Sequence, residues 1–144
     1  MLLGEFRCAA DSDGRLTIPA ELRADLLEGA TVTRGVERCL LVYPAAEWKK
    51  VAEKMRDCLP LTNRAARAFT RLLFSGASAC TPDKRGEMPL PEALRRYADI
   101  ADQAVVVGLL SHLEIWNPGR WREMRSELVQ DGVALAEELG EFGI

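Results

Sequence analysis

DSDGRLTIPAELR at 11–23 and DKRGEMPLPEALR at 83–95 repeat each other at an offset of 72 residues. Extended backwards, the match pairs Gly4 with Gly76 and Cys8 with Cys80, so residues 4–23 and 76–95 share seven identities in twenty positions. Extended forwards, one inserted residue in the second copy brings Gly35 to Gly108, Leu40 to Leu113 and Trp48 to Trp121. A self-match at a nearly constant offset marks an internal duplication, here of a unit about 45 residues long. One such unit buries too little apolar surface to offset its chain entropy, so the two copies are expected to close one core.

Within each copy the pattern reads strand, tight turn, strand, short helix, strand, turn, strand, longer helix. Residues 4–10 and 15–18 are expected as strands joined by Ser-Asp-Gly, where Asp favours turn initiation and Gly14 supplies a positive φ. Pro19 opens a helix whose Leu22 and Leu26 share one side, and Gly29 stops it. TVTRG (31–35) and CLLVYP (39–44) form the second strand pair. The equivalents in copy two are 77–81, 87–90, a helix over 91–97, then 104–107 and 113–116. Trp48, Val51, Ala52 and Met55 recur at helical spacing in AAEWKKVAEKMRD. LTNRAARAFTRLLF follows Pro60 and carries Arg64, Arg67 and Arg71, with no acidic residue between 58 and 74. A last helix is expected over 120–139, with Trp121, Met124, Leu128, Leu135 and Leu139 as its apolar members. Trp48 and Trp121, at matching positions, are expected to face the barrel as core anchors.

The chain has 144 residues, 48% hydrophobic and 28% charged, which fits one compact unit and excludes disorder. Its longest apolar run, AVVVGLL at 104–110, is interrupted by Gly108 and too short to span a bilayer. With no basic start followed by an apolar stretch, a cytoplasmic protein is expected. The four cysteines form no CxxC pair and His112 is the single histidine, so no zinc site is expected and the thiols should be reduced and mostly buried. The net charge of −3 argues against a coat of positive charge. Residues 1–72 carry 12 basic and 10 acidic groups, however, while 73–144 carry 7 and 12, much of the acid lying beyond Trp121. The first half is the better place for a polyanion site.

MLLGEFR, DSDGRLTIPAELR, VTRG with CLLVYPAAEW, RAFTRLLFSGAS, LPEALRRYADI and LEIWNPGRW together resemble the MraZ family of bacterial transcription regulators, from residue 1 to about 125. The resemblance implies an α+β fold with a mainly β core: a pseudo-two-fold, AbrB-like swapped-hairpin β-barrel built from two tandem SpoVT-AbrB-like repeats with flanking helices. On that reading residues 4–48 and 76–121 are the repeats, 49–75 the linking helices and 122–144 an acidic helix and tail. It further implies a sequence-specific binder of direct repeats in the promoter of the division and cell-wall gene cluster. Its partners would be double-stranded DNA and further copies of itself in a ring, at the nucleoid, without cofactor, membrane or small-molecule ligand. The family's Asp-x-x-x-Arg signature, implied to lie on the DNA-facing loop, is present as Asp11 and Arg15. Copy two keeps Asp83 but has Glu87 in place of arginine, with Lys84 and Arg85 as partial substitutes. Asp13 stands where a basic residue is common. The implied DNA-facing set is thus Asp11, Gly14, Arg15, Asp83, Lys84, Arg85 and Gly86, with the first copy as principal reader.

Two readings of Arg15 remain open: a guanidinium fork that takes guanine O6 and N7 or two phosphate oxygens, or a local surface ion pair with Asp11. Asp11 is expected to cap the turn rather than touch DNA. Arg64, Arg67 and Arg71 read as an exposed face or intersubunit contact before a phosphate rail. Arg23 and Arg95 fit a solvated helix position or a salt bridge within the barrel. An enzyme is not expected, for no phosphate-cradling loop or nucleophile with a histidine partner is present. The alternative class is an oligomeric scaffold that has lost strong DNA binding through Asp13 and Glu87.

Overall fold

The computed structural model describes residues 1–143. β1 (Leu2–Ala9) and β2 (Arg15–Thr17) flank the first turn, and α1 (Ala20–Arg23) follows Pro19. β3 (Ala30–Arg34), β4 (Leu40–Pro44) and α2 (Ala45–Cys58) complete copy one, and α3 (Arg64–Ser75) crosses to copy two. There β5 (Ser78–Ala79), β6 (Glu87–Pro89), α4 (Glu92–Ala98), β7 (Gln103–Leu110), β8 (Leu113–Trp116) and α5 (Pro118–Glu138) repeat the order.

The copies interleave. One antiparallel sheet runs β1-β7-β8-β4-β3-β5 and a second pairs β2 with β6, so each copy's first strand pairs with the third strand of the other. Exchanging the copies leaves this order unchanged, which defines a pseudo-two-fold axis. It passes through the Leu16–Met88 pair of the small sheet and the Leu41–Glu114 pair of the large one. Each member of these pairs lies opposite its own counterpart, 72 residues away in the first case and 73 in the second. Ile18 donates its amide to Gly86 O (2.8 Å) and Leu90 donates to Gly14 O (3.2 Å), so each turn is completed by the other copy. The fold is α+β with a mainly β core, as expected.

Alternation decides what faces inward. Leu2 and Cys8 of β1, Val32 of β3, Val42 of β4, Val106 of β7 and Ile115 of β8 meet Leu16, Ile18, Met88 and Leu90 from the small sheet. Leu22, Leu26, Leu94 and Ala98 from the short helices close the same core. The first of these helices is shorter than expected: after Arg23 it tightens into a 3₁₀ turn at Ala24–Leu26, and Gly29 leaves at φ +132°. Copy two instead continues α4 to Ala98 and ends it on Asp99 in the left-handed region.

The sheet register corrects one detail of the repeat. Phe6 pairs with Val106 while its counterpart Ser78 pairs with Val32, so β7 lies 74 residues beyond β3. Leu40 and Leu113 keep the offset of 73. Gly108 therefore stands at the place of Arg34, not of Gly35. Two residues are inserted before β7 and one is lost from the turn after it.

The three longer helices, α2, α3 and α5, lie on the outer face of the large sheet. Tyr43 and Trp48 pack with tilted rings at 5.9 Å between centroids, and their counterparts Trp116 and Trp121 do the same at 5.7 Å. The two tryptophans thus anchor their helices to the outside of the sheet, where both are half-buried, rather than filling the barrel core. The core interior is already occupied by the small sheet, which leaves no room for an indole. In copy one α3 folds back so that Phe74 meets Trp48 edge-on at 5.6 Å, and Thr33 Oγ1 donates to Leu73 O. Copy two has no helix in that place. Trp121 and Met124 seat the start of α5 on Val105 and Val107. From Arg125 to Gly143 every described residue is exposed.

Three of the four cysteines, Cys8, Cys39 and Cys80, are buried, and Cys58 is exposed at the end of α2. Burial pushes the Cys8 thiol up to about 11 and that of Cys80 to about 12. Burial, reinforced by the nearby charges of Glu114 and Glu37, does the same for Cys39, to about 12. Since the thiolate is the reactive form, a colorimetric thiol titration should find one fast-reacting group in the native protein and four after denaturation. Rapid modification of two or more native thiols would contradict this packing.

Candidate nucleic-acid interface

The two repeated turns are built alike. In the first, Asp11 Oδ1 accepts from the amides of Asp13 and Arg15, both at 2.9 Å. The Asp11 amide donates to Arg15 O (3.0 Å) and the Gly14 amide to Asp11 O (3.0 Å). In the second, Asp83 Oδ1 accepts from Arg85 (2.8 Å) and Glu87 (3.0 Å), with the same backbone closure. The Glu87 amide holds the Asp83 carboxyl below its usual value against the opposing effect of desolvation, with lesser help from the Arg85 amide and the charges of Arg15 and Arg85. Each aspartate therefore spends its carboxylate on the turn's own backbone, the role expected of Asp11.

Gly14 and Gly86 both have φ +78°, a region that costs side chains dearly. A second constraint comes from across the axis. A Cβ on Gly14 would lie 2.3 Å from Arg95 Nε, and one on Gly86 2.2 Å from Arg23 Cζ. Arg23 Nε donates to Ile18 O at 2.6 Å and Arg95 Nε to Leu90 O at 3.0 Å. Each arginine, itself half-buried, thus ties down the strand of its own copy and lays its guanidinium plane against the turn of the other. These contacts are hydrogen bonds to carbonyls, not salt bridges. The pairing of Gly14 with Arg95 and Gly86 with Arg23 was signalled in the sequence only by the joint recurrence of glycine and arginine in both copies.

Arg15 lies exposed on β2 and reaches across the axis rather than back to Asp11. Its Nη1 is 3.8 Å from Glu87 Oε2 and 4.0 Å from Asp83 Oδ2. The residues that occupy equivalent positions in the two copies thus face each other as a cation and an anion. At 53% side-chain exposure the pair is weak and easily exchanged for another anion. Lys84 and Arg85 are exposed on the tip of the second turn, and Asp13 on that of the first. All seven expected residues therefore belong to two turns joined by one ribbon. No group of three or more His, Cys, Asp or Glu side chains among the described residues is arranged to hold a metal.

A family model described as "MraZ protein, putative antitoxin-like" matches residues 1–72 and again 73–138. The chain belongs to the MraZ family. It is 44% identical to a protein of Herpetosiphon aurantiacus and 42% identical to one of Natranaerobius thermophilus, each over 144 residues and the whole of both chains. A relative from Symbiobacterium thermophilum is 46% identical over 138 residues, covering 96% of this chain and 99% of the other. All three are named transcriptional regulator MraZ, a non-enzymatic class. The two matched halves correspond to the two interleaved copies. None of the described helices is long and apolar enough to cross a membrane.

The glycine–arginine contacts predict non-additive energetics. Gly86→Ala should destabilise the protein by about 1–3 kcal/mol through its positive φ and the collision with Arg23. Removing the guanidinium with Arg23→Ala should recover the steric part, leaving a coupling of about 0.5–3 kcal/mol between the two sites in urea unfolding. Strict additivity would mean that the two groups do not press on each other.

Proposed function

We propose that this protein is a sequence-specific DNA-binding transcription regulator in which the Arg15 turn is the principal reader. The observation that carries the reading is the division of labour within the turn. Asp11 is consumed by backbone amides, Gly14 is held by Arg95, and Arg15 is left exposed with only a weak, solvent-open pairing to Glu87 and Asp83. A guanidinium on a braced ribbon can meet a guanine edge or two phosphate oxygens without first paying to order its loop. Lys84 and Arg85 add phosphate-directed charge on the second turn, and Asp83 and Gly86 hold that turn in shape.

Each chain offers few cationic contacts, so affinity is expected to come from a ring-shaped homo-oligomer on direct repeats in the promoter of the division and cell-wall gene cluster. Linking weak modules raises apparent affinity by about 10² to 10⁴ without a new contact. Such a protein would work in the cytoplasm, associated with the nucleoid. One observation favours a second reading: Glu87 occupies the place equivalent to Arg15 and draws it across the axis, as in a scaffold that has given up strong DNA binding.

A gel-shift titration on the DNA upstream of the protein's own gene cluster, at two salt concentrations, separates them. Arg15→Ala should abolish the shift with an unchanged circular dichroism spectrum. Glu87→Arg, which removes the competing anion and adds a second fork, should tighten binding and steepen the log–log salt dependence by about 0.9 per phosphate gained. Retained binding by Arg15→Ala would remove Arg15 as reader. Absence of binding by the wild type, with none gained by Glu87→Arg, would establish the scaffold.

A further inference from the structure

The outer surface of copy one carries a groove that the function above does not use. It runs between the end of α2 and the body of α3 as two adjoining hollows of about 330 and 200 Å³, which share Leu59, Leu61 and Thr70. Met55, Leu59 and Phe74 form an apolar floor, and Leu61 beside it is 84% exposed. Arg67 and Arg71 stand at its rim, with no carboxylate paired to either among the described residues. Among the described residues the Arg67 guanidinium donates only to Leu61 O, at 2.9 Å.

The opposite chemistry lies at the other end of the chain. Arg125 still meets the sheet, its Nε 3.3 Å from Glu5 Oε1, and beyond it α5 projects outward with every described residue exposed up to the 3₁₀ turn that ends it. At 100° per residue Leu128, Leu135 and Leu139 fall on one stripe, continuous with the Trp121 and Met124 positions that seat the helix on β7. Glu127, Asp131 and Glu138 line one edge of that stripe, and none forms an ion pair among the described residues. A helix whose apolar stripe is bordered by carboxylates matches a groove whose apolar floor is bordered by guanidinium groups.

We propose that the distal half of α5 of one chain docks in the α2–α3 groove of a second copy, with Leu128, Leu135 and Leu139 on the floor and Asp131 and Glu138 against Arg67 and Arg71. The inference rests on the oligomeric part of the proposed function and assigns the surfaces that would build it. The pseudo-symmetry explains why the contact arises. Copy one covers its α2 with α3, whereas copy two has no helix to cover α5, so each chain carries an uncovered helix and a groove that nothing in its own chain fills. Donor and acceptor are different surfaces, so the contact is heterologous: every chain gives one helix and receives one, and the assembly closes as a ring when the rotation permits.

Light scattering coupled to size exclusion tests this on the full chain at fixed concentration. The wild type should elute as a multimer. Asp131→Arg with Glu138→Arg, and separately Arg67→Glu with Arg71→Glu, should each reduce the mass towards the 15.9 kDa of one chain with helical content retained. An equimolar mixture of the two variants should recover the multimer, because each then offers a helix that matches the groove of the other. A chain ending at Arg125, which loses only residues outside the packed body, should also be a single-chain species. Wild-type mass in either charge-reversed variant or in the truncated chain overturns the contact while leaving a ring by other surfaces intact. A wild type of single-chain mass overturns the contact and the oligomeric reading together. Arg15→Ala should leave the mass unchanged, which separates assembly from DNA contact.

Discussion

The two-residue-wide crossing on the pseudo-two-fold axis is the constraint on which the rest depends. Leu16 and Met88 are both fully buried and lie directly opposite each other, flanked by the exchanged amide bonds from Ile18 to Gly86 and from Leu90 to Gly14. Neither copy can form its half of this ribbon alone, since the acceptors belong to the other. The same crossing brings Arg23 onto Gly86 and Arg95 onto Gly14. Core formation and the shape of the exposed turns are therefore one event: a chain whose copies fail to interleave has neither a closed core nor a braced turn. A glycine at either position answers to two requirements at once, backbone conformation and the space taken by a guanidinium. That double demand explains why these residues recur when most others in the repeat have diverged.

Divergence is concentrated where the symmetry is not needed to close the core. β1 pairs along eight residues with β7, but its counterpart β5 pairs along only two with β3. The second copy enters its first strand directly from α3, and Pro82, at the place of Ala10, has no amide to continue a ladder. The outer layer diverges further: a helical hairpin on one side, a single long helix on the other. At the ribbon, Arg15 faces Glu87, so a two-fold scaffold carries a one-sided charge pattern. The pseudo-symmetry governs the interior, and the departures from it mark the surfaces free to serve recognition.

Much of this was legible in the sequence because the duplication supplies its own control. Residues common to both copies, such as Gly14, Pro19, Leu22 and Arg23, serve the ribbon and core, and strand and helix positions followed from alternation and from proline and glycine punctuation. The strand ends shifted by at most three residues, and α1 stopped at Arg23 because Ala24–Leu26 tighten into a 3₁₀ turn that carries Leu26 into the core. Three things were not legible. The β7 register depends on compensating insertions on either side of the strand, which local matching averages into one. The outward seating of Trp48 and Trp121 depends on which face the small sheet already fills. The reach of Arg15 to Glu87, instead of Asp11, is a contact across the axis between residues 72 apart, and spacing along the chain holds no record of it.

One consequence follows for how such a protein could read repeated DNA. If both turns carried arginine at the equivalent of residue 15, the two forks would face each other across the axis, and either could lead onto the duplex. With Glu87 opposite Arg15, one approach would place cations from both turns, Arg15 with Lys84 and Arg85, against phosphate, and the inverted approach would present a carboxylate instead. A carboxylate at a phosphate surface is repelled, so on the proposed DNA-binding reading the charge pair would act as an orientation filter more than as a source of stability. In the proposed ring, a heterologous contact would give every chain the same sense, so that neighbouring readers would point the same way. Direct repeats, which also keep one sense along the duplex, are the arrangement of sites that such a set of readers can satisfy together, whereas inverted repeats would force alternate chains to present Glu87.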